Sequence, residues 1–336
     1  MSQAAIYGLA GTEISREEAA FFRDTRPTGY ILFRRNIEDR AQLRRLTDAL
    51  RSLEGHDEVP ILIDQEGGRV ARMRPPVWPA FPSGEAFDLL YQVAPSSAIE
   101  AARVNARALG LMLHEVGVTI NCLPMLDVRQ PGATDIVGNR SLGSNPMQVS
   151  ALGRAILDGL ASAGVLGVIK HIPGHGRALV DSHKELPVVD AGEELLRIDL
   201  EPFERLRDAA MGMTSHLLYT QWDALRPASQ SPIVIHDIIR DRIGFDGFLM
   251  SDDIDMGALA GDHGTRAATC IEAGCDVVLQ CNGQMEDMIS VANAVGALTP
   301  DAEARLARAM AMRFTPDDEM DFSQAVEKRD ALLALV

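Results

Sequence analysis

Val165-Leu166-Gly167-Val168-Ile169-Lys170-His171-Ile172-Pro173-Gly174-His175-Gly176 is the stretch on which the reading of this chain turns. Its first five residues form a short apolar run of the kind that makes a buried strand, and the chemistry then changes abruptly. With Asp181-Ser182-His183 one loop further on, a cation, three imidazoles and a carboxylate fall within the fourteen residues from Lys170 to His183. Such a density of titratable groups suits a core poorly, because each must find a partner once it is buried. A strand that hands over to a loop of this composition is where parallel α/β folds build their active sites.

His171 and His175 stand at i and i+4, the spacing that would place two metal ligands on one helix face. Pro173, Gly174 and Gly176 oppose that helix, since proline clashes with the preceding turn and glycine carries an entropic penalty. An irregular loop is therefore expected, with no metal and no other cofactor. Two readings of the cluster remain. The histidines are ordinary loop residues satisfied by backbone partners, His175 above all, squeezed between two glycines. Alternatively Asp181 and His183 work as a pair: the carboxylate fixes one ring nitrogen and leaves the other free to move a proton.

Outward from this segment, the pattern recurs in Gly247-Phe248-Leu249-Met250-Ser251-Asp252-Asp253-Ile254-Asp255-Met256, where an apolar strand again ends in carboxylates. Short apolar runs occur at about 5–10, 29–34, 60–64, 118–126, 165–170, 212–218, 246–251 and 276–280. Eight such strands are the number of a TIM-type (β/α)8 barrel, an α/β fold. Helix-like segments alternate with them: Ser15-x-x-Glu18 and Ser97-x-x-Glu100 fit capping boxes, and Asn145-Pro146 fits an N-cap followed by proline at the first helical position. The region 66–95, with Pro75, Pro76, Pro79, Pro82 and Pro95, reads as an elaborated loop, and 300–336 as terminal helices packed outside the barrel. No repeat, low-complexity tract or linker interrupts the chain, so a single barrel domain over 1–336 is expected.

The 32 basic and 48 acidic side chains give a net charge of −16, which disfavours nucleic acid or an anionic membrane as partner. Cys122, Cys270, Cys275 and Cys281 lie in or beside apolar stretches without paired metal spacing, so buried thiols and no disulfide framework are expected. The start Met1-Ser2-Gln3-Ala4-Ala5-Ile6 lacks a basic flank followed by a long apolar segment, and no eighteen-residue apolar run occurs. A soluble cytoplasmic protein is the expectation, its oligomeric state left open with a monomer among the options.

Taken in order, IDQEGGRV (63–70), GNRSLG (138–143), KHIPGHG (170–176), DSH (181–183), GFLMSDDIDMGAL (247–259) and AGCD (273–276) resemble glycoside hydrolase family 3. The chain length resembles the family's single-domain bacterial β-N-acetylglucosaminidase branch. The resemblance runs from about Ile6 to about Asn282 and implies a role for each matching residue. Asp252 would be the nucleophile, forming a covalent glycosyl-enzyme intermediate with retention of configuration. Asp253 competes for that role, but successive side chains of a strand face opposite ways, so one of the two is expected to point into the barrel mouth and the motif selects Asp252. His183 would be the general acid/base, oriented by Asp181. An imidazole, with an unperturbed pKa of about 6.5, exchanges protons near neutrality with little tuning. Asp64 would accept hydrogen bonds from sugar hydroxyls, and Arg140, Lys170 and His171 would donate to them.

The implied substrate is a small carbohydrate: terminal β-linked N-acetylglucosamine on muropeptide fragments, joined to anhydro-N-acetylmuramic acid, in cell-wall recycling. A family member specific for glucose or xylose is the alternative, as is a carbohydrate-binding barrel that has lost turnover. The presence of both Asp252 and the Asp181/His183 pair counts against the last, because binding alone requires neither nucleophile nor proton shuttle. Ile172, where an aromatic residue is commoner, and Leu142 and Ile254 are apolar departures from the family pattern. Arg177 stands where many relatives carry a smaller side chain.

Overall fold

In the computed structural model, which describes every residue except 133, 317 and 318, the eight expected strands close into a barrel. They are β1 (Gln3–Gly8), β2 (Pro27–Leu32), β3 (Ile61–Ile63), β4 (Ile120–Asn121), β5 (Leu166–Ile172), β7 (Met211–Thr214), β9 (Phe248–Asp253) and β10 (Val277–Gln280). Their order is β1-β10-β9-β7-β5-β4-β3-β2 and every pairing is parallel. Two short strands, β6 (Val188–Val189) and β8 (Leu218–Tyr219), pair with each other beside the barrel.

Period-two alternation explains where the core and the site lie. Ile6, Leu62, Leu166 and Val168, Met211 and Met213, Phe248 and Met250 belong to one buried cluster that fills the barrel. Their strand neighbours Tyr7, Ile61, Ile169 and Leu249 belong to a second cluster beneath the surrounding helices. Carried one step further toward the C-terminal ends of the strands, the interior series 62, 166–168 and 248–250 arrives at Asp64, Lys170 and Asp252. The apolar layers thus give way to charge at the mouth where barrel loops gather.

The helices follow their local signals with two exceptions. Ser15 and Glu18 form the expected capping box on Arg16–Thr25, and the Asn145 side chain accepts from Met147 and Gln148 at the start of Pro146–Ser162. Ser97, by contrast, is not a cap: the helix Pro95–Glu115 begins two residues earlier, with Pro95 at its first position, where the fixed φ of proline favours a start. The region 66–95 is not loop throughout either. It contains a helix, Gly84–Val93, that buries Phe87 and Leu90. The fourth strand is shorter than its apolar run because Pro124 has no N–H to donate to the ladder, although Leu126 N–H pairs again with Lys170 O at 2.7 Å.

Of the terminal helices, Phe322–Leu333 packs outside against Pro95–Glu115, where Arg329 donates to Asn105. The helix Pro300–Met310 instead closes the N-terminal end of the barrel, adding Ala302 and Ala309 to the interior cluster. All four cysteines are free and buried. No described helix is long and apolar enough to cross a membrane.

Candidate active site

At the C-terminal mouth, a cavity of about 240 Å³ is lined by Asp64, Arg140, Lys170, His171, His183 and Asp252 among others. Asp181 stands behind His183 rather than in the wall. Every residue singled out from sequence therefore converges on one place, though not always in the expected manner.

Lys170 and Arg140 are held by carboxylates before any ligand arrives. Lys170 Nζ lies 2.9 Å from Asp64 Oδ1 and 2.7 Å from Glu66 Oε1, and Arg140 makes a two-pronged pair with Glu66 at 2.8 and 2.7 Å. Arg72 reaches the other oxygen of Asp64 at 3.2 Å. Burial would strip Lys170 of its charge, but Asp64 and Glu66 reverse this and lift its pKa above the ordinary lysine value. Burial also pushes on Glu66, where Arg140 and Lys170 outweigh it and hold the carboxyl well below its usual range. The wall is a grid of fixed, alternating charges. An ammonium has three N–H groups and a guanidinium five, so Lys170 and Arg140 each keep a donor for a ligand after these bonds are made.

His171 is oriented by Asp127, which the sequence reading passed over. Asp127 Oδ2 accepts from His171 Nδ1 at 2.7 Å, and its Oδ1 accepts the backbone N–H groups of His171 and His175 at 3.2 and 2.6 Å. Asp127 is fully buried; desolvation raises its pKa, yet His171 and His175 bring it below the ordinary aspartate value. With Nδ1 donating to Asp127, neutral His171 presents Nε2 as an acceptor. The expectation that His171 donates to a hydroxyl holds only for its protonated form.

The histidine cluster is no ligand helix. Lys170 and His171 lie on β5 itself, and the chain turns at Gly174 with a φ of 131°. Burial lowers the pKa of His175 to about 4, so the ring is neutral. Its Nε2 is 3.2 Å from Ser182 Oγ, consistent with a role in shaping the loop. Among the described residues, the group that could gather around an ion is Asp255, His263 and Asp287. Both nitrogens of His263 there are already 3.0 Å from a carboxylate.

At the end of β9 the adjacent carboxyls part company. Asp252 is desolvated, which raises its pKa, but His171, His216, the Asp253 N–H and Lys170 overcome this and hold it below the ordinary aspartate value. Asp253 is pushed well above that value by burial, by Asp255 and by Asp252 itself. Of the two, Asp252 is the one held low, beside Lys170 and two imidazoles. Both residues nonetheless contribute to the cavity wall. Between its pairings Met250–Val277 and Asp253–Leu279, β9 carries one residue more than β10, and such a bulge breaks strict alternation. His216 braces this strand end, with Nε2 3.0 Å from Asp253 O and Nδ1 2.7 Å from Ser229 Oγ.

On the rim, His183 Nδ1 is 3.0 Å from Asp181 Oδ1, and the same oxygen accepts the His183 backbone N–H at 2.8 Å. The His183 ring is 66% exposed, open to solvent and to whatever occupies the mouth. Burial acts to raise the Asp181 pKa, and the bonds from His183 bring it below the usual value. Arg177, unexplained by sequence, fastens the root of this loop: it pairs with Asp199 and donates to Leu195 O at 2.9 Å.

Glu66, Asp127, Arg72 and His216 are site residues that the sequence reading missed. Asp127 closes an apolar run, the signal used for Asp64 and Asp252, whereas His216 falls inside the 212–218 run after two hydroxyl residues. Glu66 sits inside a quoted motif. Arg72 has no such mark.

A family profile described as "Glycosyl hydrolase family 3 N terminal domain" matches residues 3–311. A protein named "Beta-hexosaminidase" from Bordetella avium (strain 197N) is 34% identical over 316 residues, covering 92% of this chain and 88% of that one. Another of that name, from Methylococcus capsulatus (strain ATCC 33009 / NCIMB 11132 / Bath), is 38% identical over 282 residues, 82% of each chain. Among solved structures, NagZ from Neisseria gonorrhoeae in complex with N-trifluoroacetyl-D-glucosamine superposes with a TM-score of 0.85 at 30% identity, covering 99% of this chain and 97% of that one.

Proposed function

Because the chain belongs to glycosyl hydrolase family 3 and resembles its β-hexosaminidases along most of its length, we propose that it removes terminal β-linked N-acetylglucosamine from peptidoglycan fragments with retention of configuration. The observation that carries this reading is the separation of two neighbouring carboxyls, with Asp252 kept charged in a cavity of sugar-ring dimensions beneath an imidazole–carboxylate pair.

In this reading the Asp252 carboxylate attacks the anomeric carbon while His183, in its imidazolium form, gives its Nε2 proton to the departing oxygen. Asp181 holds Nδ1–H throughout and so fixes which nitrogen exchanges the proton. Neutral His183 then takes a proton from water as the water attacks the glycosyl-enzyme. Lys170, Arg140 and Arg72 offer donors to the sugar, and Asp64 accepts from its hydroxyls. The grid is already formed by its own ion pairs, and such preorganisation is the condition for effective electrostatic stabilisation. The exposed position of His183 suits a bulky aglycone lying outside the pocket, such as an anhydro-N-acetylmuramoyl peptide. A cytoplasmic monomer acting in cell-wall recycling fits that substrate.

Chromogenic β-glycosides that differ only at C2 test the sugar. The N-acetylglucosaminide should be turned over and the glucoside should not; equal or better turnover of the glucoside would refute the N-acetyl reading. His183→Ala tests the mechanism, and should lose disaccharide hydrolysis almost wholly while keeping appreciable activity on activated aryl glycosides. Asp181→Ala should show a milder form of the same pattern.

A further inference from the structure

The segment carrying His183 is tied to the loop that leaves the β9 strand end. Gly257 N–H donates to His183 O at 3.2 Å and Ala258 N–H to Ser182 O at 3.1 Å, so adjacent donors meet adjacent acceptors. Ser182 is 2% exposed and is joined from within the loop by His175. The Lys184 and Glu185 N–H groups both turn back to Asp181 O, at 2.9 and 3.1 Å. The His183 ring, in contrast, stands largely in solvent with Asp181 as its side-chain partner. Its pose over the cavity is therefore set by how the backbone beneath it is seated, and Gly257 is the seat.

Position 257 has no need of glycine for its own backbone, since it is not among the glycines with positive φ. The need comes from close approach. A Cβ there would stand 2.9 Å from His183 O and 2.9 Å from Lys184 O, nearer than carbon and oxygen pack, and both are backbone atoms that cannot swing aside. On the reading that His183 is the acid/base, we propose that Gly257 is a positioning residue for it. Lying five residues beyond Asp252, on the loop that leaves β9, it couples the height of the proton donor to the strand that carries the nucleophile. A displacement of the loop would shift the imidazole while Asp252 and Lys170 stay in place on their strands.

The test compares Gly257→Ala with His183→Ala and the parent over a series of aryl β-N-acetylglucosaminides graded by leaving-group pKa. Gly192→Ala serves as control, because Gly192 has a φ of −68° and nothing within 4 Å of a Cβ. Gly257→Ala should lose roughly 10- to 100-fold in kcat/KM on the poorest leaving groups and under about 3-fold on the best, the signature of a misplaced general acid. Its dependence on leaving-group pKa should steepen toward that of His183→Ala, while Gly192→Ala keeps the parent slope. Ala258→Pro, which removes the N–H donated to Ser182, should steepen the slope in the same sense and gives a second route should the alanine variant not fold. A parent-like slope for Gly257→Ala, or an equal loss on all leaving groups, overturns the proposal while His183→Ala still reports on the acid/base. An unchanged slope in His183→Ala overturns the acid/base reading itself.

Discussion

Glu66 is the hinge of the charge grid, and Glu66→Gln is the change that should expose its weight. The substitution keeps shape and one carbonyl oxygen but replaces the other oxygen with an N–H group facing Arg140 or Lys170. Those cations are 12% and 2% exposed at their side chains and Glu66 is 5% exposed, so little water reaches them to stand in for the lost charge. Arg72, Arg140 and Lys170 would be left with Asp64 as the one carboxylate bonded among them. Breaking one side of a buried ion pair costs about 3–5 kcal/mol, because the stranded charge keeps its desolvation penalty. For a 336-residue chain the unfolding entropy near the midpoint is about 0.7 kcal/mol per kelvin, so the variant should melt roughly 4–7 °C below the parent. The same loss should loosen Lys170 and Arg140 and raise KM more than it lowers kcat. Thermal unfolding followed by circular dichroism, with Michaelis kinetics on an aryl N-acetylglucosaminide, measures both effects. A midpoint within about 1 °C of the parent and an unchanged KM would refute the idea that Glu66 holds the wall together.

Asp252→Ala should lower turnover by several orders of magnitude with the fold intact, whereas Asp253→Asn, an uncharged mimic of a carboxyl that burial keeps protonated to higher pH, should stay much closer to the parent; labelling of a residue other than Asp252 by a 2-fluoro glycosyl inactivator would overturn this assignment. The pH dependence of stability has a definite sign at Glu66: its folded pKa lies below the unfolded value of about 4.3, so its contribution is fully present above that value and is lost as pH falls through the folded pKa. The stability gap between parent and Glu66→Gln, read from urea unfolding, should therefore be wide at neutral pH and narrow on acidification. A gap that widens toward acid would contradict the direction of the shift.

The barrel and half of its mouth were legible because both depend on a period of two. Once strands are marked by apolar runs, alternation within them decides which side chain faces inward, and Asp64, Lys170 and Asp252 are the next inward positions after Leu62, Val168 and Met250. Arg140, His183 and Asp181 lie outside the strands, where a period of two does not apply; the spacing of Asp181 and His183 suggested a pair, and the family motif alone pointed to Arg140. Glu66, Asp127 and Arg72 became visible when the chain was closed, since their importance lies in which distant group they meet: Glu66 reaches Arg140 seventy-four positions away, and Asp127 reaches His171 across forty-four.

The pair at 252 and 253 marks where local reading ends. In sequence the two residues are the same amino acid on the same strand, and alternation alone assigns one to the interior. The bulge against β10 breaks strict alternation and both residues contribute to the cavity wall, so alternation alone no longer tells them apart. Their neighbours do. Asp252 looks toward Lys170, His171 and His216, brought by β5 and by the loop after β7, and stays ionised. Asp253 looks toward Asp255, which is itself tied to the Cys281 and Asn282 N–H groups at the end of β10, and is driven to hold its proton. One carboxyl held low beside one pushed high is a division of labour imposed by strands remote in the chain. Moving a cation rather than either aspartate should be enough to disturb it: Lys170→Met would remove positive charge from the Asp252 side and leave the Asp255 side unchanged, bringing the two carboxyls closer in pKa. The acid limb of the kcat/KM profile should then move to higher pH, and an unmoved limb would mean that Asp252 owes its charge to the imidazoles and the Asp253 N–H rather than to Lys170.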